Sequence, residues 1–173
     1  PMVSHLYELE AAKKIIKDVH KVLIKKKIKV RKTLPPIGVL IETPAAALIS
    51  NILAKHCDFF AIGTNDLTMY TLATDRGDEE VANIYDPTHP SVLKLIKLAA
   101  MSAHKNNIPV SICGEMAGDT LFTQILVGLN VTSLSMGISS ILKIKQFLSN
   151  FSFNDASWVH VCRSRSHTKQ KQY

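Results

Sequence analysis

Ile37-Gly38-Val39-Leu40-Ile41-Glu42-Thr43-Pro44 is the stretch on which the fold turns. Its first five residues carry no polar side chain and include three β-branched ones, which reads as a short strand buried on both faces. Thr43-Pro44 then reads as a helix cap with proline at the first helical position, where a missing N–H costs nothing. A strand passes directly into a helix, with a carboxylate, Glu42, at the junction.

The same alternation extends in both directions. Upstream, Leu6, Leu9, Ala12, Ile16, Val19 and Leu23 recur at steps of three and four, the spacing of one helix face, with Ser4 as the N-cap. Residues 11–32 are predicted to be a helix whose lysines face solvent and whose apolar stripe packs on the sheet. Pro35-Pro36 stops it. Downstream, residues 45–55 read as a helix, and Phe59-Phe60-Ala61-Ile62 as a second buried strand ending at Gly63. A helix over 65–72 leads into the polar loop Asp75-Arg76-Gly77-Asp78. Pro90 opens a helix to about residue 104, closed by Asn106-Asn107. Ile108-Pro109-Val110-Ser111-Ile112 is a third strand, followed by Gly114. Residues 120–127 read as a helix with Gly128 as its C-terminal cap. Residues 133–136 are a weaker fourth strand and 139–147 a last helix.

Strands alternating with helices imply a parallel sheet with helical crossovers. An open doubly wound sheet and a (β/α)8 barrel both fit the rhythm. A complete barrel takes about 250 residues, and this chain has 173. Four clear strands are half a barrel or a small complete sheet. Pro1-Met2 could be the end of a further strand, and the lack of methionine at position 1 favours a piece of something longer. The strands should pair in the order 37–41, 59–62, 110–112, 133–136, each parallel to the next.

Composition narrows the class. Hydrophobic residues make up 46% and charged residues 20%, as in a globular protein. Cys57, Cys113 and Cys162 are too few and too scattered for a disulfide framework or a structural zinc site. No apolar run reaches the roughly 18 residues that cross a bilayer, and no signal peptide is legible, so the expectation is a soluble, cytoplasmic protein. The formal net charge is +7. It is concentrated in residues 11–32, where ten Lys or Arg face only Asp18, and in a basic tail, while residues 33–150 are mildly acidic. Nucleic-acid binding would need a recognised module or interleaved aromatics beside such a stripe, and the sequence has neither; a solvated helix face is the expectation.

The chemistry-bearing residues gather at strand ends. Glu42 follows the first strand, Asn65 and Asp66 the second, and Cys113 and Glu115 the third. In parallel α/β folds the carboxyl ends of the strands share one side. Two carboxylates with an amide are hard oxygen donors of the kind that hold Mg²⁺, although a carboxylate ending a strand is as often a helix cap. Arg76 could fork onto a phosphate or carboxylate, or pair with Asp75 or Asp78. Cys113 could be a proton donor or nucleophile, or a small buried hydrophobe. None of the seven histidines shows metal-ligand spacing.

Five collinear motifs make a resemblance specific. They are Gly38-Val39-Leu40-Ile41-Glu42-Thr43-Pro44-Ala45-Ala46-Ala47, Asp58-Phe59-Phe60-Ala61-Ile62-Gly63-Thr64-Asn65-Asp66-Leu67, Leu72-Ala73-Thr74-Asp75-Arg76-Gly77, His89-Pro90-Ser91-Val92-Leu93 and Cys113-Gly114-Glu115-Met116-Ala117-Gly118-Asp119. Over residues 1–156 the chain resembles the carboxy-terminal, phosphoenolpyruvate (PEP)-binding barrel of Enzyme I, the PEP–protein phosphotransferases of the bacterial sugar phosphotransferase system. Pyruvate phosphate dikinase and PEP synthase are similar at the second and fifth motifs. The resemblance implies the second half of a (β/α)8 TIM-type barrel. It implies Glu42 and Asp66 as Mg²⁺ ligands, Asn65 and Arg76 as contacts to the PEP phosphate, and Cys113 as the acid that protonates the enolate carbon as pyruvate forms. It further implies phosphoryl transfer to a histidine on an amino-terminal domain, then to a small histidine-bearing phosphocarrier, and a homodimer formed through the barrel domain. The histidine domain and the first half of the barrel are not in this sequence, and residues 157–173 do not resemble the family's closing helices. That basic tail is expected to be disordered. A degenerate or truncated member without transfer activity, or a piece of a dikinase or synthase relative, is the alternative.

Overall fold

The computed structural model describes residues 1–75, 77, 78, 81 and 84–150. Arg76 and the basic tail at 157–173 lie outside the described residues. The chain runs α1 (Leu6–Lys25), β1 (Val39–Ile41), α2 (Pro44–Leu48), α3 (Ser50–Leu53), β2 (Phe60–Gly63), α4 (Thr64–Leu72), α5 (Pro90–Lys105), β3 (Val110–Cys113), a 3-10 turn (Glu115–Gly118), α6 (Thr120–Gly128), β4 (Ser133–Leu134) and α7 (Ile138–Ser149). The strands form one sheet in the order β1-β2-β3-β4, with every pair parallel. A doubly wound sheet reverses its strand order at a switch point. This sheet does not, so right-handed crossovers send successive helices to the same face, as along the wall of a barrel.

Register explains where the core sits. Val39, Phe60 and Val110 form one row across the sheet, and Ile41, Ile62, Ile112 and Leu134 another. On the first three strands these residues are almost completely buried, against helices that include α5 with Val92, Ile96, Ala99 and Ala103. Burying a side chain of this size is worth about 1.5–3 kcal/mol, so this layer dominates stability. The alternate row, Leu40, Ala61, Ser111 and Ser133, is half-buried or exposed. The strands are thus buried on one face, not on both as their composition suggests. No element among the described residues covers the second, concave face.

Several local expectations need correction. α1 is capped by His5, whose Nδ1 accepts from the Tyr7 N–H, while the Glu8 carboxylate accepts from the N–H groups of Ser4 and His5. Ser4 instead shares a hydrogen bond with Thr43 through its hydroxyl. The helix ends at Lys25, not near residue 32, because Lys27 turns left-handed at φ 56° and the N–H groups of Lys27 and Ile28 return to the carbonyls of Ile24 and Leu23. That is a Schellman ending on lysine, which nothing in side-chain chemistry advertises. Only the start of the apolar stripe packs on the core: Leu9 is buried and Leu6 lies against it, but Ala12, Ile16 and Val19 are exposed.

The segment predicted as one helix over 45–55 breaks at Ile49. The break lets buried Ser50 donate to Ser102 on α5, which in turn donates to the Leu98 carbonyl. Gly128 is the last residue of α6, not its cap; Asn130 takes the left-handed position at φ 64°. β4 covers only Ser133–Leu134 rather than 133–136. By contrast, Thr43 caps α2 by accepting from the Ala46 N–H at 3.1 Å, Pro44 and Pro90 open their helices, and Asn107 closes α5 in a left-handed turn.

Candidate functional site

The site is built where the ladder runs out. Gly63 pairs with Cys113 at the carboxyl end of β2 and β3, and Glu42 stands one residue past β1. Because side chains alternate along a strand, Glu42, Gly63 and Cys113 continue the concave-face row defined by Leu40, Ala61 and Ser111. Glu42 is 4% exposed. Its carboxylate lies over Gly63, so close that a Cβ there would stand 3.1 Å from Glu42 Oε2. Its Oε1 accepts the Met2 N–H at 2.5 Å. The first residues of the chain therefore reach this carboxylate through a backbone N–H. An acceptor-only group buried with a backbone donor on one oxygen is well placed to receive a cation or a further donor.

α4 supplies the next two groups. β2 passes into this helix without a loop, so Thr64, Asn65 and Asp66 occupy its first turn, at the sheet's carboxyl edge. Asn65 Oδ1 accepts the Glu115 N–H at 3.3 Å, which leaves its amide Nδ2 to donate elsewhere. The opposite wall is the turn after β3. Gly114 there has φ 102° and ψ −177°, a conformation open to glycine.

Cys113 is half-buried, with Sγ 3.5 Å from the Ile62 carbonyl. Burial pushes its thiol pKa up, and the carboxylates of Glu42 and Asp66 push it the same way. Both carboxylates therefore act on this sulfur, and the group stays a protonated thiol at neutral pH.

Four of the five residues singled out from the sequence, Glu42, Asn65, Asp66 and Cys113, converge at one end of three adjacent strands; Arg76 lies outside the described residues. Beside them a cavity of about 420 Å³ is lined by Asn65, Gly114, Glu115, Asp119, Gly137 and Ser140, a size suited to a small organic ligand. Among the described residues no three His, Cys, Asp or Glu side chains form a metal cage. Glu42 and Asp66 thus offer at most a pair of hard oxygen donors, the donor set of Mg²⁺, which completes its octahedron with water and substrate oxygens. Lys13 and Lys17 of the basic segment lie away from the site. Lys13 donates to the His56 carbonyl and pairs with Glu10, and Lys13 and Lys17 flank Pro35, Asp58 and Phe59 at the amino ends of the strands. Sequence reasoning did not find the Met2 amide or the Thr64 hydroxyl. The first acts through its backbone and the second is buried, so neither leaves a side-chain signal.

The comparisons with known proteins agree with this geometry. Residues 1–153 match the family model described as PEP-utilising enzyme, PEP-binding domain. The phosphoenolpyruvate-protein phosphotransferases of Mycoplasma capricolum, Haemophilus influenzae and Bacillus subtilis are each 40% identical over 156 residues, which is 90% of this chain and 27% of each relative. The chain therefore spans about a quarter of the length of these relatives. With a sequential parallel sheet, acidic groups at its carboxyl edge and a family match that spans all of the described residues, the chain belongs to the PEP-utilising enzymes, as part of their PEP-binding domain.

Proposed function

We propose that this chain is the PEP-binding part of a phosphoenolpyruvate–protein phosphotransferase, as in Enzyme I. The observation that carries the reading is the convergence of Glu42, Asn65, Asp66 and Cys113 around the Gly63–Cys113 rung. Glu42 and Asp66 would hold Mg²⁺, and bound there it would offset the negative charge of PEP. Asn65, with its amide turned from the Glu115 N–H, would donate to the phosphate, and Arg76 would grip the same group. The phosphoryl group would pass to a histidine on a separate domain and then to a histidine-bearing phosphocarrier, the first step of sugar uptake in the cytoplasm. The homodimer implied by the resemblance belongs to the same reading.

Loss of the phosphoryl group leaves the enolate of pyruvate. Its carbon must take a proton, and a thiol held protonated by burial and by two carboxylates is a source of one. Among the described residues no helix is long and apolar enough to cross a membrane.

Calorimetric titration of the chain with PEP and Mg²⁺ tests the binding half. Glu42→Gln and Asp66→Asn should each abolish Mg²⁺-dependent binding; unchanged binding in either would remove that residue from the site. The transfer half is tested in a chimera in which residues 1–150 replace the matching segment of the Bacillus subtilis relative. There Cys113→Ala should leave PEP affinity largely intact and lower pyruvate formation by about two orders of magnitude, the yield of a positioned general acid. Near-normal pyruvate formation would return Cys113 to a structural role.

A further inference from the structure

Thr64 is fully buried, so it cannot touch a substrate, yet it contacts the backbone on which Cys113 depends. The β2–β3 ladder ends at the Gly63–Cys113 pair. Beyond it β2 turns into α4, and its backbone leaves the line along which a strand would continue the ladder. The Thr64 hydroxyl takes over, donating to the Cys113 carbonyl at 3.0 Å. Thr64 is itself fixed, because its carbonyl accepts the Thr68 hydroxyl at 2.7 Å.

The next peptide is built around this contact. Gly114 stands at φ 102°, and a Cβ there would lie 2.5 Å from Thr64 Oγ1 and 3.0 Å from Asn65 Oδ1. Asn65 Oδ1 then accepts the Glu115 N–H. Two consecutive residues of the β2–α4 turn thus grip the peptides on either side of Gly114. The Cys113 carbonyl and Sγ branch from the same short piece of chain, so holding the carbonyl limits the directions open to the sulfur.

We propose that Thr64 is a positioning residue for Cys113: its buried hydroxyl locks the Cys113–Gly114 peptide and so aims the thiol into the space bounded by Glu42, Asn65 and Asp66. Its catalytic meaning rests on Cys113 being the proton donor; its geometric content does not. Valine at 64 keeps the shape and loses the donor, whereas serine keeps the donor and loses a methyl.

The geometric part is tested on the whole 173-residue chain carrying Cys57→Ser and Cys162→Ser, so that Cys113 is its single thiol. The readout is the rate of alkylation by iodoacetamide at fixed pH. Thr64→Val should raise the rate at least fivefold. Thr64→Ser should stay within twofold of the parent. A Thr64→Val variant that melts cooperatively and alkylates at the parent rate overturns the proposal. If Thr64→Val does not fold, Thr64→Ser carries the test, since a rate raised fivefold with the hydroxyl present also overturns it.

In the chimera, Thr64→Val should lower kcat for pyruvate formation about tenfold, leave KM for PEP within twofold, and be rescued by Thr64→Ser. A change in KM alone, or equal loss in the serine variant, counts against positioning. A chimera with Thr64 intact that makes no pyruvate, beside the expected alkylation pattern, refutes the functional reading and supports the geometric one.

Discussion

Replacing Gly114 with alanine strains the wall of the site in two ways that can be sized from the structure. The residue stands at φ 102° and ψ −177°, a region that costs an L-residue about 1–3 kcal/mol. The added Cβ would also lie 2.5 Å from Thr64 Oγ1 and 3.0 Å from Asn65 Oδ1. Neither is the far end of a long flexible side chain, and Thr64 is anchored through its bond to the Cys113 carbonyl. Relieving that overlap costs about 1–3 kcal/mol as overpacking, with the loss of a hydrogen bond worth about 1 kcal/mol if Thr64 gives way. The expected destabilisation is about 3–4 kcal/mol, a large part of the 5–15 kcal/mol that typical domains hold. For a chain of this size it corresponds to a fall in Tm of roughly 10 °C. Thermal unfolding followed by circular dichroism reads this directly. Gly137→Ala is the control: its backbone is ordinary, at φ −60° and ψ 145°, and its nearest neighbour to an added Cβ, Ser139 Oγ, lies 3.9 Å away. If Gly114→Ala melts within about 2 °C of the parent, the turn after β3 adapts freely, and the account of Gly114 as the space that admits Thr64 and Asn65 fails.

Three further outcomes follow from the same structure. Thr43→Ala removes the acceptor for the Ala46 N–H and the partner of Ser4 and should cost about 1 kcal/mol; an unchanged urea midpoint would show that water replaces the cap. The Cys57 thiol is pushed up to about 11 from 9.0, chiefly by burial. Below pH 9 both folded and unfolded states keep the proton, while between about pH 9 and 11 the unfolded state loses it first, so this contribution to stability is lost as pH rises through that window. The stability difference between the parent and Cys57→Ala should therefore shift between pH 8 and 10.5, and a constant difference would remove Cys57 as the cause. Finally, among the described residues β1 and β4 each pair on one side only, and α1 exposes Ile15, Val19 and Ile24. The isolated chain should self-associate in analytical ultracentrifugation; a monodisperse, cooperatively melting monomer would contradict that.

The sequence by itself determined the order and kind of the elements, because those rest on local chemistry. Apolar runs flanked by Thr43-Pro44 and His89-Pro90, and the Asn106-Asn107 turn, act within a few residues of where they are read. It also placed Glu42, Asn65, Asp66 and Cys113 at strand ends, since in a parallel sheet those ends share one side. Tertiary structure decided what distant partners supply. The break at Ile49 goes with a serine reaching α5, whereas α1 ends at Lys25 on a local left-handed turn at Lys27 that no side-chain signal marks. The open concave face depends on which elements cover the sheet, which residue composition cannot report. At the site, the Met2 amide on Glu42 joins residues 40 apart, and the Thr64 hydroxyl on the Cys113 carbonyl joins residues 49 apart. The second exists because parallel register brings β2 and β3 to one edge, and the first because residue 2 lies beside the end of β1; a hydrogen bond across such distances leaves no periodicity in the chain to be read.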